Sequence, residues 1–355
     1  MSRVLGRYLR RRVALQTLGL LLVLTALMQL LEMLDVTGDV LDRQLGAAGL
    51  LRYAFLRTPA ELVVALPLAA LLGAMSAFYA MARHHEIVAM RCAGLSLKRL
   101  VVLLLPVPLV LAGVQFMLSD RVVPRAEATL KAWWDATAPE EEEAEPRWVQ
   151  TRDGPVSILH ASPDGRELRE VHIYQRDEKS GLLTARLRAA RATWADGSWH
   201  LAQVEHLDAS PTELHRQKQD RREWSINLRP DDVLRLDLAQ PHLSSMMLVD
   251  VIAGERVGAQ PISFYQTVLY RSFTAPLAVF VMLLLAAPTA RLTTRAGGGA
   301  SLLVALGLGL GYLLCDGIMA ALGTGGRLPP VIAVSIAPAL FLFIGIVHLE
   351  YCDRS

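Results

Sequence analysis

The chain has 355 residues, of which 53% are hydrophobic and 20% are charged, and its mean hydropathy is positive. This composition excludes an intrinsically disordered chain, a disulfide-rich scaffold and an ordinary soluble domain. The net charge of +2 hides an asymmetry, because residues 121–261 carry a net charge of −5 and the remainder carries +7. The sequence therefore indicates two parts in different surroundings, and the total charge gives no sign of nucleic-acid binding.

Six stretches of about 20 residues lack Asp, Glu, Lys and Arg, which is the length that a helix needs to cross a hydrocarbon core about 30 Å thick. Backbone groups in lipid must satisfy their own hydrogen bonds, so each stretch predicts a transmembrane helix. The six stretches are Val13–Leu31, Leu62–Met81, Leu100–Ser119, Ser272–Ala290, Ala296–Cys315 and Leu328–Val347.

The basic residues of the short segments predict the orientation of these helices. The first stretch follows Arg10-Arg11-Arg12, as a signal peptide would, but its apolar run is too long and no small-residue cleavage site follows it. Twelve Lys and Arg residues fall on one side of the predicted membrane and four on the other. Since basic segments stay in the cytoplasm, both termini are expected there and residues 121–261 outside.

The segment 121–261 shows the alternation of apolar and polar residues that is typical of β-strands. Val171–Tyr174 and Leu234–Leu238 are such runs, and Trp194–Trp199 is the clearest hairpin because it contains an Asp-Gly pair. None of the three cysteines lies in this segment, so no disulfide framework is expected. Alternation alone leaves a sandwich, a jelly roll and a barrel open.

Motifs for chemistry are absent from the sequence. It contains no Walker A pattern, no nucleophile elbow and no His-Glu-x-x-His motif, so the chain is not expected to bind ATP through a P-loop. The adjacent residues His84-His85-Glu86 would point about 100° apart on a helix and do not converge on a metal. The sequence therefore predicts neither a metal site nor a bound cofactor.

Charged and small residues near the predicted spans are more informative. Glu32 and Asp35 close the first span, and Asp316 ends the fifth. Such residues are either solvated at the interface or line the mouth of a polar cavity, because burying them in lipid is costly. Gly307 and Gly311 have the small-xxx-small spacing that allows close helix packing, which predicts a partner helix at this face.

The segment Leu66–Ala74, followed by His85–Ser96, resembles the lipopolysaccharide export permease family, whose paired subunits are of an F-type and a G-type. The resemblance extends to the Arg7-Tyr8-Leu9 start and to Val122-Val123-Pro124 after the third span. It also covers the order of three spans, a β domain and three spans. The Leu66–Ala74 segment is closer to the G-type subunit.

The resemblance implies the permease subunit of an ABC transporter rather than an enzyme. It implies that lipopolysaccharide is extracted from the bacterial inner membrane and passed to a periplasmic bridge. The implied partners are an F-type permease, a cytoplasmic ATPase dimer that uses ATP and Mg²⁺, and a periplasmic jelly-roll protein with a single membrane helix. The chain itself would bind no cofactor.

The implied fold is an α-helical membrane protein with six transmembrane helices, three on each side of an inserted periplasmic β-jelly roll. We therefore expect transmembrane helices 1–3 in residues 1–120, with a cytoplasmic coupling helix at 82–100. The periplasmic domain would occupy residues 121–261, and transmembrane helices 4–6 would occupy residues 262–355.

The resemblance also implies a site for the ATPase. Glu86 matches the glutamate that contacts the ATPase in the family. Ile87 and Met90 are three residues apart and share a helix face, which we expect to dock in a hydrophobic groove. Arg91 belongs to the same predicted coupling set.

A second implied site would bind the lipid A phosphates. Lys131 falls at a matching basic position, and three arginines are weaker candidates by proximity. Glu32 stands where related G-type chains carry Lys, which leaves its role and that of Asp35 open; a divalent cation bridging either carboxylate to phosphate is one hypothesis. Spans 1 and 5 are candidates for a lateral gate, with Gly307, Gly311 and Asp316 on span 5. The three arginines are Arg43, Arg52 and Arg57.

Three other classes of protein share some of these features. A permease for another lipid or for lipoproteins would place its large outer domain after span 1, whereas here it follows span 3. A polytopic membrane enzyme acting on lipid would need converging catalytic residues, and the sequence shows no such cluster. A scaffold that anchors a β domain would need only one or two spans.

Overall fold

The computed structural model divides the chain into a helical unit, Met1–Thr137 with Thr267–Ser355, and a second unit, Ala138–Gln266. The structure describes residues 2–137, 147–151, 154–162, 164–176, 183–195, 197–209, 214–224, 226, 228–233, 243–254, 260–291 and 298–354.

The first half of the helical unit begins with two long helices that pack against each other as a hairpin, α1 (Ser2–Asp42) and α2 (Gly46–Arg83). The third apolar run is divided because Pro106 lacks an N–H group and starts a new helix. After α2 the chain forms α3 (Glu86–Cys92), α4 (Leu97–Leu104), α5 (Pro106–Met117), a π-helical turn (Leu118–Val122) and α6 (Val123–Ala136).

The second half contains a bent helix pair followed by two long helices. The bend is 50° and lies between Thr274 and Leu277, where Pro276 precedes the second helix of the pair. The elements are α9 (Ile262–Thr274), α10 (Leu277–Ala286), a 3-10 turn (Ala287–Arg291), α11 (Gly298–Thr324) and α12 (Pro330–Arg354).

Among the described residues, five helices are long and apolar enough to cross a membrane, or six if the bent pair is one span. The prediction of a multi-pass membrane protein with an inserted β domain is therefore confirmed, while the count of six stays a prediction. The predicted span Ser272–Ala290 crosses the bend, because its apolar run begins before the helix break. Residues 296 and 297 of the predicted fifth span lie outside the described residues.

The helical unit has an apolar core, to which the second half of α2 and most of α10 contribute. Close approach between α1 and α2 depends on Gly73. An added Cβ atom there would lie 2.5 Å from the Cα atom of Thr17, so no larger residue fits without moving the backbone. Thr17 itself is 1% exposed.

The second unit contains a six-stranded antiparallel sheet in which each strand pairs with the next along the chain. The predicted strand at Val171–Tyr174 lies in the third strand, Glu167–Arg176, and the predicted hairpin is confirmed by the pairing of Trp194 with Trp199. The run Leu234–Leu238 lies outside the described residues. The strands are β1 (Arg147–Thr151), β2 (Gly154–Ala161), β3 (Glu167–Arg176), β4 (Leu183–Ala195), β5 (Ser198–Ala209) and β6 (Leu214–Trp224).

One face of this sheet is apolar and buried, as the alternating pattern predicts. Trp199 is fully buried there, and its indole N–H donates a hydrogen bond of 2.8 Å to the carbonyl oxygen of Leu228. Two short helices follow the sheet, α7 (Pro230–Val233) and α8 (Ser245–Ile252). The described strands form a single sheet, so the jelly roll stays a prediction.

Candidate functional site

A polar network joins α1, α2 and α6 near the turn between the first two helices. The Oε1 atom of Glu32 lies 3.2 Å from the Arg57 Nε atom and accepts a hydrogen bond of 3.0 Å from the Tyr53 hydroxyl. Arg57 also lies 3.4 Å from the Oε1 atom of Glu127. One arginine thus stands between two carboxylates, and we call these four residues the hairpin cluster.

A buried carboxylate lies close to the hairpin cluster. Glu61 is one helical turn after Arg57 on α2 and is 5% exposed. The side-chain amide of Gln29 on α1 donates to its Oε2 atom over 2.9 Å, with the amide in the orientation that the surrounding acceptors require. A buried carboxylate needs such partners, because desolvation without them is costly.

Two arginines at the same end of the hairpin lie on the tryptophans of α6. The guanidinium carbon of Arg43 is 4.4 Å from the ring centroid of Trp134, and its NH1 atom donates to the Trp134 carbonyl oxygen over 2.6 Å. Arg52 lies 5.0 Å from the ring centroid of Trp133. These are cation–π distances, and tryptophan with arginine is typical of the interface between a membrane and water.

Lys131 joins this group through helix geometry. It is half-buried on α6, four residues after Glu127 and three before Trp134, so the three side chains share one face of the helix. The structure therefore places one of the four predicted basic residues in the turn between α1 and α2, two on α2 and one on α6. They are Arg43, Arg52, Arg57 and Lys131.

The carboxylates of this region differ in their surroundings. Glu32 accepts a hydrogen bond from Tyr53 and pairs with Arg57, whereas Asp35 is exposed on α1. Sequence reasoning missed the tryptophans, Tyr53 and Glu127. The pair Trp133-Trp134 in a basic segment just after a span was an available signal, because tryptophan is enriched at membrane interfaces.

A second cluster surrounds Glu86, at the other end of α1. The Oε2 atom of Glu86 accepts a hydrogen bond of 2.9 Å from the Tyr8 hydroxyl, and its Oε1 atom accepts one of 2.8 Å from Arg12. Arg12 also contacts the Tyr8 hydroxyl, and its guanidinium lies 5.7 Å from the Tyr8 ring centroid. We call these three residues the Glu86 cluster. Sequence reasoning singled out Glu86 but did not predict its partners on α1.

The apolar face of α3 requires a correction. Ile87 and Met90 were predicted to dock on a partner, but they are 4% and 8% exposed and belong to the core of the helical unit. The periodicity correctly identifies one face of the helix, but that face is buried inside the chain. The outward side of α3 carries Val88, which is 52% exposed, and Arg91.

The glycines of α11 differ in how closely other parts of this chain approach them. A Cβ atom added at Gly307 would meet no atom within 4 Å, and one at Gly311 would make only ordinary contact with Phe341. The close approach occurs at Gly309, where a Cβ atom would lie 2.2 Å from the Leu71 side chain of α2. Within this chain Gly309 therefore makes the close contact of α11, and the packing of a partner helix on Gly307 and Gly311 stays a prediction.

Asp316, near the end of the predicted fifth span, has a partner on the bent helix pair. Its Oδ2 atom lies 2.7 Å from the Arg271 NH2 atom of α9. The carboxylate is thus paired within the helical unit. No group of three or more His, Cys, Asp or Glu residues among the described residues is arranged to hold a metal ion.

These features define a class of protein. The chain is a multi-pass membrane protein with an inserted antiparallel sheet and one polar cluster near each end of its first helix. The family model described as lipopolysaccharide export system permease LptF/LptG matches residues 7–351, and the chain belongs to this family. It is therefore a lipopolysaccharide export permease subunit, a transport protein rather than an enzyme, as the sequence predicted.

Curated relatives agree with the family model. LptG of Escherichia coli (strain K12), a lipopolysaccharide export system permease protein, is 23% identical over 354 residues, which cover 97% of both chains. LptG of Haemophilus influenzae (strain ATCC 51907 / DSM 11121 / KW20 / Rd) is 23% identical over 295 residues, which cover 81% of both chains. The predicted likeness to the G-type subunit is confirmed by these names.

Proposed function

We propose that this subunit extracts lipopolysaccharide from the outer leaflet of the bacterial inner membrane and passes it to a periplasmic bridge. In this proposal both termini are cytoplasmic and the sheet unit is periplasmic. The excess of basic residues in the segments on the side of the termini supports that orientation. The Glu86 cluster then lies near the cytoplasm, and the hairpin cluster lies near the periplasm.

The energy of the task explains why such a subunit needs a partner. Moving a lipid A with about 60 methylene groups into water would cost about 45 kcal/mol, at about 0.8 kcal/mol for each group. Non-covalent binding saturates at about 20 kcal/mol, so a single binding site cannot supply the free energy that this transfer requires. The acyl chains need a continuous apolar path, and the cycle needs external work.

The observation that carries the proposal is the basic and aromatic group at the α1–α2 turn. Arg43 and Arg52 lie against tryptophans, and Lys131 is on the same face of α6 as Trp134. Guanidinium and ammonium groups bind phosphate oxygens, and interfacial aromatic rings hold such groups at headgroup level. We assign this group to the phosphates of lipid A. Arg57 is not assigned to them, because it already pairs with Glu32 and Glu127.

The proposal includes partners and a domain arrangement. An F-type permease would pair with this chain, and a cytoplasmic ATPase dimer, which uses ATP and Mg²⁺, would dock on residues 82–100. A periplasmic jelly-roll protein with one membrane helix would receive the lipid from residues 121–261, folded as a jelly roll. Transmembrane helices would occupy residues 1–120 and 262–355, six in all.

A reconstitution tests the transport function. The chain is co-expressed with the F-type permease and the ATPase, purified, and placed in proteoliposomes that contain lipopolysaccharide. We expect ATP-dependent release of lipopolysaccharide to an added jelly-roll acceptor. Release that is independent of ATP, or a purified complex without a second permease, would contradict the proposal.

Two variants test the lipid site. Lys131→Glu reverses a charge in the basic group, and we expect photocrosslinking of lipopolysaccharide to α6 to fall about tenfold, as the loss of a charge-assisted contact predicts. Arg125→Glu makes the same change at an exposed position on another face of α6 and should leave crosslinking unchanged. Equal crosslinking in the two variants would remove Lys131 from the site.

A third variant tests the ATPase site. Glu86→Lys should weaken co-purification of the ATPase while leaving membrane insertion intact. Glu223→Lys is the matched control, because Glu223 is an exposed carboxylate on β6, outside the proposed docking segment. Normal ATPase recovery with Glu86→Lys would remove Glu86 from the docking site.

A further inference from the structure

The helix α3 is joined to α1 by side chains from both. Both carboxylate oxygens of Glu86, the first residue of α3, are engaged, one by Tyr8 and one by Arg12. Tyr8 and Arg12 are four residues apart, so they project from the same face of α1. The Arg12 and Glu86 side chains are 23% and 28% exposed, so water only partly screens their attraction.

The backbone around α3 makes it a separate short piece. His85 precedes it with a φ of 59°, and Gly94 follows it with a φ of 84°, both in the left-handed region. These two turns separate α3 from α2 and α4. Within α3, Ile87 and Met90 are packed into the core of the helical unit. The helix is thus anchored by its buried apolar face and by Glu86 at its start.

Helix α1 is in turn held against α2. Thr17 lies in the notch that Gly73 leaves, and the Ser76 hydroxyl donates a hydrogen bond of 2.9 Å to the Gln16 side-chain oxygen. A displacement of α3 therefore has two routes into the helical unit. One follows the backbone through His85 into α2, and the other passes through the Glu86 cluster into α1.

We propose that Tyr8 and Arg12 are positioning residues that hold Glu86 in place and transmit the displacement of α3 directly to α1. This inference rests on the proposed function, in which the ATPase docks on the segment that contains α3. The ATPase would bind the outward side of α3, and the Glu86 cluster would couple that docking to the first transmembrane helix. Arg12 would affect how much transport each ATP supports, and not whether the ATPase binds.

The test uses the complex of the chain with its permease partner and ATPase in proteoliposomes. We compare Arg12→Gln, Arg12→Lys and Tyr8→Phe, and we measure ATPase recovery, ATP hydrolysis and lipopolysaccharide release. Arg12→Gln leaves the Glu86 carboxylate and the outward side of α3 unchanged, so we expect normal ATPase recovery and hydrolysis. We expect about tenfold less lipopolysaccharide released per ATP, because the charge that pairs with Glu86 is lost. Arg12→Lys should restore most of the release, and Tyr8→Phe should have a smaller effect.

The matched control is Arg11→Gln, which removes the same charge from an exposed neighbour on α1. Arg11 is one residue before Arg12, so its side chain projects about 100° away from that of Arg12 around the helix axis. It should release lipopolysaccharide normally. A second readout is the distance between spin labels on Cys92, which is exposed at the end of α3, and on Arg11→Cys, with the other two cysteines replaced by serine. We expect its distribution to broaden in Arg12→Gln.

Three results would overturn the inference. They are a normal release per ATP in Arg12→Gln, an equal defect in Arg11→Gln, and an unchanged spin-label distribution in Arg12→Gln. Loss of ATPase recovery in Arg12→Gln would also overturn it, because Arg12 would then act in docking. Failure of the unmodified complex to release lipopolysaccharide or to bind an ATPase would instead contradict the proposed function.

Discussion

Gly73 of α2 lies so close to Thr17 of α1 that a Cβ atom at position 73 would stand 2.5 Å from the Thr17 Cα atom. The contact is with backbone, so a side-chain rotation cannot relieve it. We predict that Gly73→Ala lowers the stability of the helical unit by about 1–3 kcal/mol, because overpacking forces the helices apart. Thermal unfolding in detergent would measure the loss.

The control for this variant is Gly307→Ala on α11, where an added Cβ atom meets nothing within 4 Å. It should unfold at the temperature of the unmodified chain. Equal unfolding temperatures for Gly73→Ala and Gly307→Ala would show that α1 and α2 can separate without cost.

The hairpin cluster predicts unequal roles for two arginines on α2. Arg57 pairs with Glu32 and Glu127, whereas Arg52 lies on the face of Trp133. Replacing Arg57 with alanine leaves two partly buried carboxylates without their shared cation, so we predict a loss of about 3 kcal/mol. Arg52→Ala should cost about 1 kcal/mol, as expected for a cation–π contact near the surface. Unfolding in detergent would compare them.

A double variant checks the cause of the Arg57 effect. If the loss of the cation beside Glu32 is responsible, Glu32→Gln combined with Arg57→Gln should be more stable than Arg57→Gln alone. If the double variant loses as much stability as the two single variants lose together, Glu32 and Arg57 are not coupled.

Trp199 is predicted to support the sheet through both its volume and its N–H group. It is fully buried and donates to the Leu228 carbonyl oxygen. Trp199→Phe should cost about 1–3 kcal/mol, because the carbonyl loses its partner in a buried place. Trp199→Ala should cost about 3–5 kcal/mol because it also leaves a cavity.

These losses would be measured by denaturant unfolding of the full chain, with the circular dichroism of the sheet as the monitored signal. The control is Trp148→Phe, because Trp148 on β1 is 50% exposed. If Trp199→Phe and Trp148→Phe proved equally stable, the buried hydrogen bond would not matter.

The outer side of the sheet predicts a dependence on pH. Burial, followed by the charges of Arg186 and Arg188, lowers the pKa of His172 below its ordinary value of 6.5, while Glu170 opposes them. The Arg186 NH2 atom is 3.1 Å from the His172 Nδ1 atom. The unfolded chain therefore binds a proton at this residue more readily than the folded chain does. Stability should fall as the pH drops below 6.5 toward the lowered pKa of the folded state.

The measurement is the loss of stability of the sheet between pH 7.5 and a pH well below 6.5 in the unmodified chain and in His172→Gln. The variant should lose less stability on acidification. His160→Gln, at an exposed position on β2, is the control. An acid sensitivity that is the same in all three chains would contradict the role of His172.

The sequence was sufficient for the elements with local signals. The apolar runs located the membrane helices, because a soluble protein rarely needs a run of about 20 residues without charges. The Trp194–Trp199 hairpin was found because a turn and two strands lie within a few residues. Helix ends were harder to find: α1 continues to Asp42, beyond its apolar run, as an amphipathic helix packed on α2.

The sites depended on contacts that are distant in the sequence. Glu86 is 78 residues from Tyr8 and 74 from Arg12, so no spacing rule could join them. The periodicity of Ile87 and Met90 identified a face but not what covers it. Likewise, the small residues of α11 indicated close packing, and the position of Leu71 decided that Gly309 makes the contact.

The uninterrupted course of α1 has a mechanical consequence. Its 41 residues form a rod about 60 Å long, roughly twice the thickness of the hydrocarbon core. A tilt of about ten degrees at the Tyr8 end would sweep the Asp42 end through about 10 Å at that length. In the proposed function, a lever of this reach would let a small push at the Tyr8 end of α1 reshape the surroundings of Arg43 beyond its other end.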